Sequence, residues 1–550
     1  MATEESMLKL AVRGNWKQVL AGAAQEQLES RVLPDYLKER RWFGGKARQI
    51  KALKILEKIP MGDDASHSVQ ILLMSVDYTT GTSEIYVLPL AFAEGDEADQ
   101  IAGNYPGGTI CRLDAKGTTG VLYDGVYSGV FCKDLLSSIA KNASIETSGG
   151  KLCSYRGKAF EVHDEDFQTL KPKVLAAEQS NTSVLYGKEY FLKLYRHPDQ
   201  GLNPDLEVSR FLTEEVEFPY IPHFAGGVEY LKVDSQAISI CILQKFVPNQ
   251  GDAWSYYLER VKEYYRKILA FGGEVCGVPP VPASFFEFSW HELAPFYAEL
   301  IGKEAIEYAA LLGKRTAELH RALASGTDSS SFTMEPFSLR FQESVVKSVE
   351  TLTKNVLQLL RYNLNDLPGH LQSEAKAILD LDNRILKKLQ AFADNKMEAM
   401  RIRIHGDYHL GQILFTGNDF VIIDFEGEPA RSLAERRIKQ SPLKDVAGMI
   451  RSFHYAAYLS LLAQSETRSE YASRLTSWAE LWYSVMAASF ISSYLDTVRR
   501  SQIVPEETSQ LQILLDVFLI EKAVYELGYE LNNRPAWVLI PIRGIISLVT

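Results

Sequence analysis

The chain has 550 residues, enough for about three or four structural units whose cores need no disulfide or structural metal. Its 59 Lys+Arg against 70 Asp+Glu give a formal net charge of −11, which argues against a nucleic-acid binder or a polybasic membrane anchor but leaves room for a local anion site. The five cysteines (Cys111, Cys132, Cys153, Cys241, Cys276) form no C-x-x-C pair and read as reduced thiols of a cytoplasmic protein. The first twenty residues lack a signal-peptide core, and no run reaches the ~18 apolar residues of a spanning helix.

In chain order, an opening helix precedes β-rich runs at Val69–Val76 and Glu84–Leu90. A glycine-rich break (Gly103, Gly107, Gly108) leads to candidate strands Gly120–Phe131 and Lys151–Val162 around a helix at Lys133–Lys141. From about Pro172 hairpin strands begin: Glu178–Gly187 reads as two strands around a polar turn, and Tyr190–Arg196 as a third. Next comes a helix with a clear start signal, Asn203 as its cap, Pro204 at the first position, and Asp205 and Glu207 at the positive end of the dipole. The apolar strand in Cys241–Trp254 ends in a Pro/Asn/Gly/Asp loop. Beyond it, long amphipathic helices are interrupted by a composition loop at Ser325–Ser331 and by a β-rich stretch at Arg401–Glu426.

The chemistry concentrates in that stretch. HGDYHLGQ (His405–Gln412) is followed by VIIDFEGEP (Val421–Pro429), where an apolar run delivers Asp424 at a strand end. Asp407 and Gln412 are five apart and Asp424 lies twelve further on. This is the spacing of a phosphoryl-transfer site: one carboxylate for the acceptor hydroxyl, then an amide oxygen and a second carboxylate for Mg²⁺. Taken singly, His405 and His409 read more readily as structural histidines. The assembly carries the specificity.

Upstream, Lys193 is the candidate to hold the ATP phosphates, with Glu207 as its ion-pair partner. The turn before it is not glycine-rich, so the hydroxyls of Ser180, Thr182 and Ser183 would meet the phosphates. Backbone groups of Gln244, Phe246 and Val247 would read the adenine edge. Asp445 is predicted to start a core helix and brace the catalytic loop. For the acceptor, His409 and Glu426 flank the site, and the helical stripe Lys522, Tyr525, Glu526 and Tyr529 offers polar groups and rings on one face. Core packing is the competing reading for that stripe.

RWFGGKAR (Arg41–Arg48), QSNTSVLYG, HGDYHLGQIL, DFEGEPAR and YELGYELNNRPAW together resemble the bacterial maltokinases, including those fused to trehalose synthase, over nearly the whole chain. The resemblance implies an α+β, bilobal protein-kinase-like fold with a β-rich N-lobe and a helical C-lobe, preceded by an N-terminal cap. The expected divisions are a cap over 1–105, an intermediate subdomain over 106–170, an N-lobe over 171–250 and a C-lobe over 251–550. It implies Asp407 as catalytic base, Gln412 and Asp424 as Mg²⁺ ligands, and Lys193 and Glu207 as the nucleotide-positioning pair. The implied reaction is ATP-dependent phosphorylation of maltose at the anomeric hydroxyl, giving maltose 1-phosphate for α-glucan and glycogen synthesis, with trehalose synthase as a partner. Two alternatives stay open: a kinase for another sugar or amino sugar, such as glucosamine, and a non-catalytic pseudokinase module. Asp407, Gln412, Asp424 and Lys193 are all present, which speaks against the second. The RWFGGKAR segment is expected to be a turn with Trp42 and Phe43 in the core.

Overall fold

The computed structural model describes residues 8–62, 69–161, 169–175, 180–232, 236–270, 277–282, 284–327, 331–467, 470–499 and 501–549. Parts of four expectations lie outside these residues: Cys276 among the thiols, 178–179 of the polar turn, the end of the strand ending at Val162, and 328–330 of the serine-rich loop. The chain divides into two compact units, Met1–Pro248 and Asn249–Thr550.

The first unit holds two sheets. The six-stranded one contains β1 (Lys9–Val12), β2 (Ile50–Met61), β3 (Val69–Tyr78), β4 (Glu84–Glu94), β5 (Thr109–Ala115) and β6 (Thr118–Asp124), ordered β1-β5-β6-β4-β3-β2. Only the β1–β5 pair is parallel. The inner strands β3 and β4 are buried almost throughout, because both faces of this sheet are covered. On one face, Leu72, Met74 and Leu88 join Trp42, Phe43 and the short helices α1 (Gly22–Gln27) and α2 (Leu33–Glu39). On the other, Ile71, Leu73 and Val87 share a core with residues of the second sheet. The helices α3 (Gly95–Asn104) and α4 (Gly129–Ala140) belong to this half.

The second sheet orders β7 (Ser144–Glu146), β8 (Gly150–Arg156), β9 (Pro172–Val174), β10 (Asn181–Tyr186), β11 (Tyr190–Tyr195), β12 (Phe224–Lys232) and β13 (Ile238–Lys245) as β7-β8-β12-β13-β11-β10-β9. This topology corrects the expected 106–170 subdomain. Strands β5 and β6 belong to the first sheet, while β7 and β8 pair into the second through β12. Helix α5 (Pro204–Glu214) starts where its signals put it: the Asn203 side chain accepts from the Asp205 amide at 2.8 Å.

The second unit is helical: α6 (Ala253–Ala270), α7 (Pro295–Ile301), α8 (Lys303–Leu323), α9 (Leu339–Asn363), α10 (Gly369–Leu379) and α11 (Asp382–Asp394), then α12 (Leu433–Arg436), α13 (Leu443–Thr467), α14 (Glu470–Val498), α15 (Thr508–Asn533) and α16 (Leu539–Val549). Two short antiparallel pairs interrupt them, β14 (Glu335–Pro336) with β15 (Met400–Arg401), and β16 (Ile413–Phe415) with β17 (Phe420–Ile422). Among the described residues, no helix is long and apolar enough to cross a membrane.

Candidate active site

The β16–β17 hairpin joins the two halves of the motif. The loop His405–Gln412 runs into β16, and β17 runs out into Asp424. The pairing brings Gln412 and Asp424 together: the Ile423 amide donates to the Gln412 carbonyl at 3.0 Å, and Gln412 Nε2 donates to Asp424 Oδ2 at 2.9 Å. Asp424 has φ 68°, a left-handed conformation that costs an L-residue roughly 1–3 kcal/mol and recurs at functional sites.

Asp445, at the start of α13, fixes the loop. It is buried, and it accepts from the amides of His405 at 2.7 Å and Gly406 at 2.9 Å. His320 of α8 adds a third contact at 3.1 Å. Burial opposes the Asp445 charge, but the His320 and Gly406 hydrogen bonds and the nearby histidines outweigh it and hold its pKa below the usual carboxylate value. Gly448, one turn further along α13, permits close approach, since a Cβ there would lie 2.5 Å from the Tyr408 carbonyl oxygen.

The two loop histidines differ. His405 is buried and its Nε2 meets the Ile423 carbonyl at 2.9 Å. A carbonyl only accepts, so Nε2 carries the proton and Nδ1 receives the Asp407 amide at 3.4 Å. His405 therefore ties the loop to the strand end. His409 lies with Nε2 3.9 Å from Asp407 Oδ2, and burial, aided by Lys522, lowers its pKa against the pull of Asp407. On the other side of Asp407, Lys522 Nζ is 3.8 Å from Oδ1.

The α15 stripe does not act as one surface. Lys522 and Tyr525 line a cavity beside the catalytic loop, together with Gly406, Tyr408, Glu428 and Arg431. Burial opposes the charge of Glu428, yet the Arg431 hydrogen bond at 2.6 Å, with Lys522 and Tyr525, keeps its pKa below the usual range. Glu526 instead accepts from the buried Arg451 of α13 at 2.7 and 2.9 Å, so its predicted place among the acceptor groups gives way to a structural pair. Tyr529 is 47 % exposed and carries the Arg534 guanidinium over its ring; it does not line that cavity. Glu426 is half-buried, its carbonyl accepting from Arg436 at 3.1 Å.

In the first unit, Lys193 lies on β11 directly opposite Ser183 of β10, so the two share a face. Asp205, almost fully buried and two residues before Glu207, holds a carboxylate 3.3 Å from Lys193 Nζ. Thr182 faces the other way. It is fully buried and accepts from Arg196 Nε at 2.8 Å, so the expectation that its hydroxyl meets phosphate is corrected by strand alternation. Ser180 is exposed and accepts from Asn181 at 3.2 Å.

The expected adenine-reading segment is partly committed to the sheet. Gln244 pairs with both Phe191 and Phe224 and donates its side chain to Ser209 at 3.3 Å. The Phe246 amide donates to the Glu189 carbonyl at 2.9 Å. Asp205 was the residue missed; its position at the helix start, opposite a strand lysine, was the available signal.

Residues 36–127 match the Maltokinase N-terminal cap domain, and residues 172–427 match the Phosphotransferase enzyme family. Among curated proteins, a glucosamine kinase of Streptacidiphilus jiangxiensis is 24% identical over 68% of this chain and 73% of its own length. A glucosamine kinase of Mycolicibacterium smegmatis is 21% identical over 68% and 79%. The solved structure of a glucosamine kinase in complex with glucosamine, ADP and inorganic phosphate aligns with a TM-score of 0.60 at 16% identity, covering 98% of this chain and 100% of that one. Another crystal form of a glucosamine kinase gives 0.61 at 17% identity, over 97% and 99%.

The kinase-like fold and the phosphotransferase match define the class, a sugar kinase. The cap narrows it further: its match, together with the phosphotransferase match, supports assignment to the maltokinase family.

Proposed function

We propose that the chain transfers the γ-phosphoryl group of ATP to the anomeric hydroxyl of maltose, giving maltose 1-phosphate and ADP. The observation that carries the reading is the hairpin that sets Asp407, Gln412 and Asp424 in one loop pair, with Lys522 beside the first of them. Asp407 orients the acceptor hydroxyl and takes its proton as the new O–P bond forms and the bond to the ADP leaving oxygen breaks. Lys193, braced by Asp205, holds the nucleotide phosphates. Gln412 spends its Nε2 on Asp424, which turns its amide oxygen, with the Asp424 carboxylate, into an all-oxygen donor set suited to Mg²⁺. When bound, Mg²⁺ supplies neutralisation of phosphate charge. The product is an activated donor for α-glucan synthesis, and the resemblance to fused family members makes trehalose synthase a partner to test.

A second reading is glucosamine as acceptor, favoured by the curated relatives. The test is incubation with Mg·ATP and maltose, glucose, trehalose or glucosamine, followed by phosphorus NMR. An anomeric phosphate doublet with maltose alone is expected, and it disappears with Asp407→Asn, whose rate falls about 10²–10⁴-fold. Transfer to glucosamine alone overturns the maltose assignment and keeps the kinase. Near wild-type turnover by Asp407→Asn overturns its role as base.

A further inference from the structure

Helix α15 has a cavity on each side. Phe518, Glu521, Lys522 and Tyr525 line the one beside the catalytic loop, while Gln512, Asp516 and Leu519 line another, of about 620 Å³. At about 100° per residue the two sets fall on opposite sides of the helix. The second cavity is closed by the segment 284–287, by Glu480, Tyr483 and Ser484 of α14, and by the end of α16. Its volume lies within the roughly 300–1,000 Å³ of small-molecule sites, and the chemistry at Asp407 uses none of its residues.

One wall is satisfied within itself. Ser284 donates to Gln512 at 2.6 Å, Gln512 to Asp516 Oδ1 at 2.5 Å, and Lys388 of α11 to Asp516 Oδ2 at 2.7 Å. The α14 wall is not. Tyr483 is 8 % exposed, and among the described residues its hydroxyl makes no hydrogen bond. Burial raises its pKa, so it stays a neutral phenol that can accept as well as donate. Glu480, three residues earlier, accepts from Tyr458 and makes no ion pair among the described residues. Glu287 is exposed and equally without a cation among them.

With Lys388 held by Asp516, the side-chain charge left in the cavity is that of Glu287 and Glu480, both negative. The start of α15 and the last turn of α16 reach it at Thr508 and Ser547, so their dipoles offset and the carboxylates set the sign. Phosphate and other anions are repelled there, and a cation is attracted. Phe285 meets Tyr483 edge to face, at 5.7 Å and 85°, and Phe286 lines the same cavity. Ring faces carry the negative side of the quadrupole and draw ammonium groups. Spare acceptors, ring faces and unbalanced carboxylates together suit a protonated amine.

We infer that this cavity is a second binding site, for a small organic amine whose ammonium group lies between Glu480 and the rings of Phe285 and Tyr483, with the Tyr483 hydroxyl as a further acceptor. The site is separate from the one at Asp407 and does not depend on which sugar that one serves.

The test is isothermal titration calorimetry of the full chain with putrescine and with 1,4-butanediol, a neutral counterpart of the same length. Putrescine should bind one to one, at least about tenfold more tightly than butanediol, and should weaken as salt is raised. Glu480→Gln keeps an acceptor for Tyr458 but removes the charge, and should weaken putrescine about tenfold. Tyr483→Phe keeps the ring and should weaken it about fivefold, the size of one hydrogen bond. Thermal unfolding of both variants within about 3 °C of the wild type shows that they are folded; if either is not, the wild-type comparison of putrescine with butanediol decides alone. Equal binding of butanediol makes the cavity a polyol site and overturns the inference. Undiminished binding by both folded variants also overturns it, as attraction to the chain's overall negative charge only. So does a wild type that takes up no putrescine.

Discussion

In the first unit the central buried carboxylate is Asp124, at the end of β6; in the second it is Asp445, at the start of α13. Asp124 accepts from Arg196 Nη2 at 2.6 Å, from the Val126 amide at 3.2 Å and from Tyr36 at 3.4 Å. The same Arg196 reaches Thr182 in the other sheet, its carbonyl accepts from the Val87 amide at 2.9 Å, and its guanidinium lies over Trp42. Asp124 is thus half of a fully desolvated ion pair that locks two sheets together. Asp445 has no strong cation and works through backbone amides of the catalytic loop. One carboxylate secures an architecture, and the other sets the position of the loop that carries Asp407. Their loss should therefore be felt in different measurements.

The largest effect is expected from Asp124→Leu, which leaves Arg196 buried without that counter-charge and should cost about 3–5 kcal/mol of unfolding free energy. Chemical denaturation measures it. The double replacement Asp124→Leu with Arg196→Met removes both charges and should recover most of the loss. If it recovers none, the pair is not the lock, and the contrast with Asp445 breaks. Next in size is Asp445→Ala. Two loop amides lose their acceptor, and kcat should fall about 10²-fold through misplacement of Asp407. The loss of stability should be smaller than for Asp124→Leu, at about 1–3 kcal/mol. A fall in stability without a fall in kcat would make Asp445 an architectural residue like Asp124.

The smallest effect sharpens the contrast with a group buried uncharged. His454 of α13 is buried against Tyr458 and Tyr483. Burial first, then Arg451 and Arg543, holds its pKa well below the usual imidazole value. Its folded value lies below its unfolded one, so its contribution is present above about pH 6.5 and is lost as pH falls below that, when the unfolded chain takes up the proton. Urea midpoints between pH 7.5 and 5 should show a slope of up to about 1.4 kcal/mol per pH unit from this residue. His454→Leu should flatten it.

Contacts made within one short segment were legible in the sequence. Asp407, Gln412 and Asp424 sit in a loop, a hairpin and a strand end, and their spacing alone brings Gln412 onto Asp424. Asp445 as a brace, and Trp42 and Phe43 as core, followed from equally local signals. What escaped depends on pairing across long stretches of chain. Strand β1 pairs with β5 about a hundred residues away, and no local pattern announces that. The division of residues 106–170 between two sheets has the same cause. Other misses were of orientation. Thr182 and Ser183 are neighbours, so only one can share the Lys193 face, and strand alternation could have chosen between them. On α15 the side chains of one stripe diverge, Lys522 toward Asp407 and Glu526 toward Arg451, because different helices and loops pack along its length.

The Gly406–Gly427 contact has a consequence for how such a protein can change. Both residues have positive φ, 85° and 74°, and a Cβ built on Gly406 would lie 3.4 Å from the Gly427 Cα. The loop bearing Asp407 and the turn after Asp424 therefore meet main chain to main chain. Their spacing is held by a contact that exchanges of side chains elsewhere leave alone. Side chains on the surrounding helices can therefore be exchanged while the spacing of these two segments is inherited intact.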